Sequence, residues 1–256
     1  MSDKGTRIHK VIAAAGVASR REAERMILAG SVKVNGQVVH RPGASIVPGR
    51  DALEVEGRLL RWETPPEREV WALYKPKRCV TTLSDPQHRS TVKEFFPRTR
   101  ARLIPVGRLD YDAEGLLLLT NDGELANRIA HPSYSVPKTY LVKVKEIVDK
   151  ETLVKLRSGP TVDGRRRRPV KARVLHNLAD KSWLEVVLKE GTQHHIKKMF
   201  AVLGHRVLKI KRYQIAQVAL EDLQPGQSRR LSEVEIAGLL GNKPSPSKKR
   251  DGARAI

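Results

Sequence analysis

Leu116–Leu119, four leucines in a row between Gly115 and Thr120, constrain this chain more than any other stretch. A segment so short and so uniformly apolar has no polar stripe to turn toward water. That argues against an amphipathic helix and predicts a central strand buried on both faces. Acidic residues bracket the run in GRLDYDAEGLLLLTNDGE: Asp110, Asp112 and Glu114 before it, Asp122 after it. Asp112, Glu114 and Asp122 read as turn chemistry and solubility, with Asn121-Asp122-Gly123 turning the chain at the far end. Asp110 is different. A carboxylate at the mouth of a buried strand loses solvent and must be matched by a cation or by hydrogen bonds, and Arg108 stands beside it in the sequence.

Other segments supply the cover that such a strand needs. EVWALYKP, TYLVKVKE and WLEVVLKE alternate or run apolar as strands do, and they outnumber the helical segments. HHIKKMFAVLG is the clearest helix of this region, with Ile196, Met199, Phe200 and Leu203 at helical spacing and Gly204 as its stop. ELANRIAHP gives a shorter one that ends before Pro132. Strands predominating over irregularly placed helices predict an α+β fold with a mainly antiparallel sheet.

The first part of the chain has its own pattern. RIHKVIAAAGVASRREAERMILAGSVKVNGQVV splits into a helix near 7–15, a turn at Gly16, a second helix over about 20–28 and a hairpin. Ser19 and Glu22 fit a capping box and Gly30 is placed to end the second helix. Asn35-Gly36 between two alternating runs is a strong hairpin signal. Pro65-Pro66 within RWETPPEREV marks a solvated linker. The expected organisation is a small α/β module over 1–66, a sheet domain over 67–241 and a basic disordered tail over 242–256, where GNKPSPSKKRDGARAI lacks apolar periodicity.

Charge narrows the partner. Forty-nine Lys and Arg against 28 Asp and Glu leave a formal net charge of +21, which favours RNA, DNA or an anionic membrane. No apolar run approaches the roughly 20 residues of a spanning helix, and MSDKGTRIHK lacks the apolar centre of a secretory signal. A single cysteine, Cys79, excludes an internal disulfide and points to a reducing cytoplasm. No HExxH pattern or cysteine cluster provides metal-ligand spacing, so neither metal nor cofactor is expected. Ser19, Arg20 and Arg21 combine free helix N–H groups with two guanidinium groups, either as a phosphate site or as a solvated helix end. The run DGRRRRPVKAR at 163–173 leaves two readings open for its arginines, a solvated charge run or contacts to an RNA backbone.

Two resemblances sharpen this picture. The first 40 or so residues, with ASRREAE and VKVNG, resemble the S4 RNA-binding fold. In that family paired helices present basic side chains to structured RNA, which implicates Lys10, Ser19, Arg20 and Arg21 here. From about Val70 to Leu240 the chain resembles one group of bacterial ribosomal-RNA pseudouridine synthases, the small-subunit enzyme together with types B, E and F of the large-subunit enzymes. LYKPKRCVTT, GRLDYDAEGLLLLTNDGELANRIAHPSYSVPKTYLVKV, KEGTQHHIKKMF and LKIKRYQIAQVALEDLQPGQSRRL carry the likeness. The S4 module and basic tail favour type B, hence 23S over 16S rRNA.

That resemblance implies the site. The aspartate of GRLD is the family's catalytic nucleophile and maps onto Asp110. Tyr140 matches the tyrosine that stacks on the target base and assists removal of the C5 proton, although strand alternation alone would make it a core aromatic beside Val142 and Val144. Lys197 stands where the family usually carries the arginine that pairs with the catalytic aspartate, and a lysine cannot form the bidentate fork. Arg108 matches the side chain that helps extrude the target nucleotide or fills its place. Lys138, Arg165 and Arg166 complete the RNA-binding candidates. The implied enzyme is a cytoplasmic monomer acting on rRNA without a cofactor. The rival is an RNA-binding or assembly protein that keeps the fold without the chemistry, with Lys197 and GTQHH as signs of decay. Glycoside hydrolysis by Asp110 and Asp112 is disfavoured, because carboxylates two residues apart on one loop do not flank a sugar from opposite sides.

Overall fold

The structure is a computed structural model that describes residues 5–47, 49–60, 67–99, 101–192 and 194–241. The Pro65-Pro66 boundary and the tail over 242–256 lie outside the described residues. Two compact units emerge. One lies within Met1–Glu69 and takes in Thr99–Arg102 and Asn121–Gly123; the other lies within Val70–Arg98, Leu103–Thr120 and Glu124–Ile256. The two inserted pieces of the first unit come from loops far along the chain, which local periodicity does not reveal.

In the first unit, β1 (Thr6–Arg7) leads into α1 (Ile8–Ala14) and α2 (Arg20–Leu28). Strands β2 (Val32–Val34), β3 (Gln37–Val38), β4 (Ser45–Ile46), β5 (Leu53–Val55) and β6 (Arg58–Leu60) follow. The Oγ of Ser19 accepts the Glu22 N–H at 3.1 Å and so begins α2, while the Glu22 carboxylate turns to Arg25. Asn35 and Gly36 both take positive φ, 50° and 81°, as the two-residue turn of a twisted hairpin requires. Ile8, Ile12, Ile27, Val32 and Leu53 are fully buried at the centre of this unit.

The second unit is organised by one sheet. Its elements are β7 (Val70–Lys75), β8 (Ile104–Val106), β9 (Glu114–Thr120), α3 (Gly123–Ala130), β10 (Lys138–Lys145), α4 (Lys150–Arg157), the hairpin β11 (Thr161–Val162) and β12 (Arg165–Arg166), β13 (Lys171–Leu178), β14 (Lys181–Leu188), α5 (His195–Ala201), β15 (Val207–Ile215), β16 (Val218–Ala219), β17 (Ser228–Arg230) and α6 (Glu233–Leu239). The sheet runs β13-β14-β10-β15-β9-β7-β17, with β16 beside β15 and β8 beside β9. The β15–β9 pair is parallel and the other pairs are antiparallel.

The leucine run forms β9, inside the sheet with every residue buried. Leu116 to Leu119 are fully buried, each contributing about 2 kcal/mol of transfer free energy. Leu116 and Leu118 join Val70, Ala72 and Tyr74 of β7 and the apolar faces of α3 and α6 in one core. A second core joins Tyr140, Val142 and Val144 of β10 to Leu184, Val186 and Phe200.

Glu114 departs from the turn reading. It opens β9, is only 8% exposed, and its Oε1 meets Lys209 Nζ at 2.9 Å. The next residue, Gly115, has φ +117°, and a Cβ there would lie 2.2 Å from the Arg212 carbonyl oxygen of β15. Both the dihedral and the contact demand glycine. Gly115→Ala is expected to destabilise the protein by more than about 3 kcal/mol, read as a shift in the urea unfolding midpoint; an unchanged midpoint would show that β9 and β15 separate at little cost.

Candidate active site

The loop between β8 and β9 presents Asp110, and three distant segments fix its backbone. Lys75, at the end of β7 and fully buried, donates from Nζ to the carbonyls of Pro76 at 2.9 Å, Asp110 at 3.1 Å and Ala113 at 2.9 Å. Arg212 of β15 is 2% exposed; its Nε donates to Leu116 O at 2.7 Å and its Nη1 to Arg108 O at 3.3 Å. The Thr81 hydroxyl donates to Leu109 O at 2.7 Å and accepts the Leu109 N–H at 3.2 Å. Hydrogen bonds from charged donors are each worth about 1.5–3 kcal/mol, so the loop is held at its carbonyls while the Asp110 side chain stays free to face outward.

That side chain is 27% exposed and has two basic neighbours. Lys197 Nζ lies 3.9 Å from Oδ2, and His194 Nε2 lies 3.8 Å from Oδ1. Lys197 sits in the first turn of α5, beside the buried Ile196, Met199 and Phe200 that seat the helix. Its tightest contacts are to Asp112, at 2.6 and 2.7 Å to the two oxygens. Asp112 keeps the exposed turn position of the sequence reading and is in addition an ion-pair partner. Burial pushes its carboxyl up, but the hydrogen bond and charge of Lys197 outweigh this and hold it below the usual range.

Asp110 borders a cavity of about 280 Å³, whose wall also includes Arg108, Tyr140, His195, Ile210 and Arg212. That is close to the lower end of ligand-pocket volumes, about 300 Å³, and suits one nucleoside. Tyr140 is 8% exposed and lies opposite Val186 on one side and Arg212 on the other. It is thus a core aromatic and a cavity wall at once. Arg108 is exposed at the rim. Burial lowers the pKa of the His195 imidazole, outweighing the pull of Glu190.

The remaining candidates divide. Lys10, Ser19, Arg20 and Arg21 are exposed on the first unit. Arg165 and Arg166 form β12, a short exposed strand paired with β11. Lys138 stands apart from the exposed basic residues. It lines the cavity, but its ammonium donates inward to Ile129 O at 3.1 Å and Val136 O at 3.2 Å, the first of these at the end of α3. Lys75, Thr81, His194 and Arg212 escaped the sequence reading. Alternation gave one signal: Arg212 shares a strand face with the buried Ile210, and Lys75 with the buried Leu73.

Among the described residues, no group of three or more His, Cys, Asp or Glu side chains could hold a metal ion. Cys79 is buried, and burial pushes its thiol up, which suits packing rather than nucleophilic attack. No helix among the described residues is long and apolar enough to cross a membrane.

An anion held over a nucleoside-sized cavity in a sheet of this topology has counterparts in known proteins. The RNA pseudouridylate synthase family model matches residues 69–202, and the S4 domain model matches residues 6–50. A crystal structure of a pseudouridylate synthase superposes with a TM-score of 0.66 at 33% identity, covering 91% of this chain and 99% of that one. The chain belongs to the RNA pseudouridylate synthases and carries an S4 domain; it is an isomerase. Among its relatives, the ribosomal large subunit pseudouridine synthase B of Bacillus subtilis is 43% identical over 91% of this chain and 95% of its own length. An RNA pseudouridine synthase of Aquifex aeolicus is 41% identical over 95% of this chain and 98% of its own.

The buried amines give a pH prediction. Burial, and then the charge of Arg212, lowers the pKa of Lys138 to about 8. Its folded value lies below the unfolded 10.5, so the unfolded chain holds more protons between pH 8 and 10.5 and this group makes stability rise across that window. The stability of the wild type relative to Lys138→Met should therefore increase from pH 8 to 10.5 in urea unfolding. A difference that stays constant with pH would contradict the buried, charged amine.

Proposed function

We propose that this protein converts uridine to pseudouridine in ribosomal RNA, with 23S rRNA as its substrate and the Asp110 carboxylate as the reacting anion. The observation that carries the reading is the placement of Asp110: its carboxylate borders a nucleoside-sized cavity, within 4 Å of Lys197 and His194, on a loop whose carbonyls are held by buried cations. The large-subunit assignment is supported by the Bacillus subtilis relative, named as a large-subunit synthase.

The reaction is an isomerisation. The C1′–N1 bond breaks, the uracil turns within the cavity, and C1′ joins C5; the proton on C5 leaves and N1 takes one up. Asp110 acts at the reacting nucleoside as its nucleophile. Tyr140 offers a ring for the uracil to stack on and a phenol for proton removal from C5. Lys197 stabilises negative charge around the carboxylate pair of Asp110 and Asp112 as one point charge shared between them, the arrangement open to an ammonium that lacks a fork.

Reaching that cavity requires the target nucleotide to leave its helix, at a cost of a few kcal/mol in lost stacking and pairing. Arg108 at the rim takes up the space or the phosphate left behind, and the exposed Lys10, Arg20 and Arg21 of the S4 domain add backbone contacts that offset the cost. The protein acts as a cytoplasmic monomer.

Unmodified 23S and 16S transcripts, incubated separately with the protein and mapped by carbodiimide-dependent reverse-transcription stops, test the substrate. New pseudouridine in 23S and none in 16S is expected. Modification of 16S alone, or of neither RNA whether naked or in ribosomal particles, would overturn the assignment.

A further inference from the structure

Strands β13, β14, β10 and β15 have two unlike faces. One carries Tyr140, Val142, Val144, Leu184 and Val186 and is buried against Leu156 of α4 and Phe200 of α5. The other is not buried. Along β14 the alternate residues Lys181, Trp183, Glu185 and Val187 are all half-exposed. Their cross-strand neighbours behave alike: Leu141 and Lys143 on β10, and Lys209 and Lys211 on β15, are half-exposed, and Arg173 on β13 is exposed. A sheet usually turns its open face to water with mixed charge. This one is strongly of one sign.

Lys143, Lys145, Lys209 and Lys211 line the two inner strands, with Lys171 and Arg173 on the edge strand. The two carboxylates on this face are already engaged. Glu185 takes Arg173 at 2.8 Å and the Tyr213 hydroxyl at 2.6 Å, and Glu114 takes Lys209 at 2.9 Å. Among the described residues, Lys143, Lys171 and Lys211 have no carboxylate within ion-pair distance. Two of these ammonium groups lie over aromatic rings instead: Lys143 Nζ is 5.6 Å from the centroid of Trp183, and Lys211 Nζ is 4.9 Å from that of Tyr74. A cation over a ring keeps its charge unneutralised and loses little hydration. Cross-strand spacing near 5 Å sets these charges side by side across the sheet, with the half-exposed Trp183 ring among them.

Unpaired cations in a row with an aromatic floor match a phosphodiester backbone whose bases can stack. We infer that this open sheet face is a second RNA-binding surface, taking backbone phosphates of a segment other than the one that delivers uridine to the cavity. The inference rests on RNA being the substrate. Charge complementarity selects the occupant: the face offers several cations without carboxylate partners in a row, and the half-exposed Trp183 among them favours a polyanion that carries bases over an acidic polypeptide. Target entry on one face of β10 and β15 and backbone capture on the other gives a long folded RNA two points of attachment that a short stem-loop lacks.

Neutralising Lys143 and Lys211 together, as Lys143→Gln with Lys211→Gln in the full chain, tests it. The probe is an unmodified 23S transcript, with Kd measured across a salt series and folding of the variant verified by circular dichroism. Each phosphate left without its cation lowers the slope of log K against log salt by about 0.7–0.9, so the expected decrease for two is about 1.4 to 1.8. Lys150→Gln with Lys155→Gln, on α4, serves as the comparison and should leave the slope unchanged. In the complex with wild type, Lys143 and Lys211 should also be protected from amine acylation. An unchanged slope, an equal decrease in the comparison variant, or full acylation in the complex would overturn the inference. Protection that needs ribosomal proteins in place of RNA would assign the face to a protein partner and overturn it equally. Slope and protection do not depend on turnover, so loss of the pseudouridine assay in the wild type would refute the proposed function without touching this result.

Discussion

Cationic side chains bonded to main-chain carbonyls are what the rest of this site depends on. Lys75 and Arg212 come from strands on opposite sides of β9, and between them they bond the carbonyls of Arg108, Asp110, Ala113 and Leu116. Among the described residues, no carboxylate at hydrogen-bonding distance neutralises their charge. It is balanced by carbonyl dipoles and by whatever anion the loop presents. Removing either cation would leave buried carbonyls without donors, at about 1–3 kcal/mol apiece. The Asp110 loop is thus fixed by polar bonds to its backbone, and its side chain is left to face Lys197 and His194, each within 4 Å.

The same strands explain how one sheet serves several purposes. β9 is buried on both faces and takes no part in solvent contact; its role is to present the loop before it. β10 and β15 carry Tyr140 and Arg212 toward the cavity and Lys143 and Lys211 away from it. Period-two alternation lets both assignments coexist in one strand. The price is burial of charge, visible in Lys75 and Lys138, both brought to about 8 mainly by loss of solvent.

Features written in neighbouring residues were legible before the structure. Four leucines read as a buried strand, Ser19 with Glu22 as the start of a helix, and Asn35-Gly36 as a hairpin turn, and the structure has all three. Asp110 stood out because a carboxylate at a strand mouth needs explanation. What the sequence hid was pairing across long separations. Asp112 is solvated as it looked, but its pairing with Lys197, 85 residues away, could not be seen. Glu114 looked like a turn residue because nothing local shows that Lys209 reaches it. Nothing local shows that the ammonium of Lys138 donates to Ile129 O near the end of α3. Lys75, at the end of β7, and Arg212, within β15, were passed over because a charged residue on a strand ordinarily lies in water, and only the assembled sheet shows both to be buried.

The central claim is that a single carboxylate, held by its backbone, reacts with the flipped nucleoside. Asp110→Asn preserves shape and hydrogen-bonding reach while removing the charge, so single-turnover pseudouridine formation, measured beside RNA affinity, tests it most directly. The account predicts that the asparagine variant binds RNA with Kd within about twofold of wild type and forms no pseudouridine. Turnover within about tenfold of wild type would contradict it.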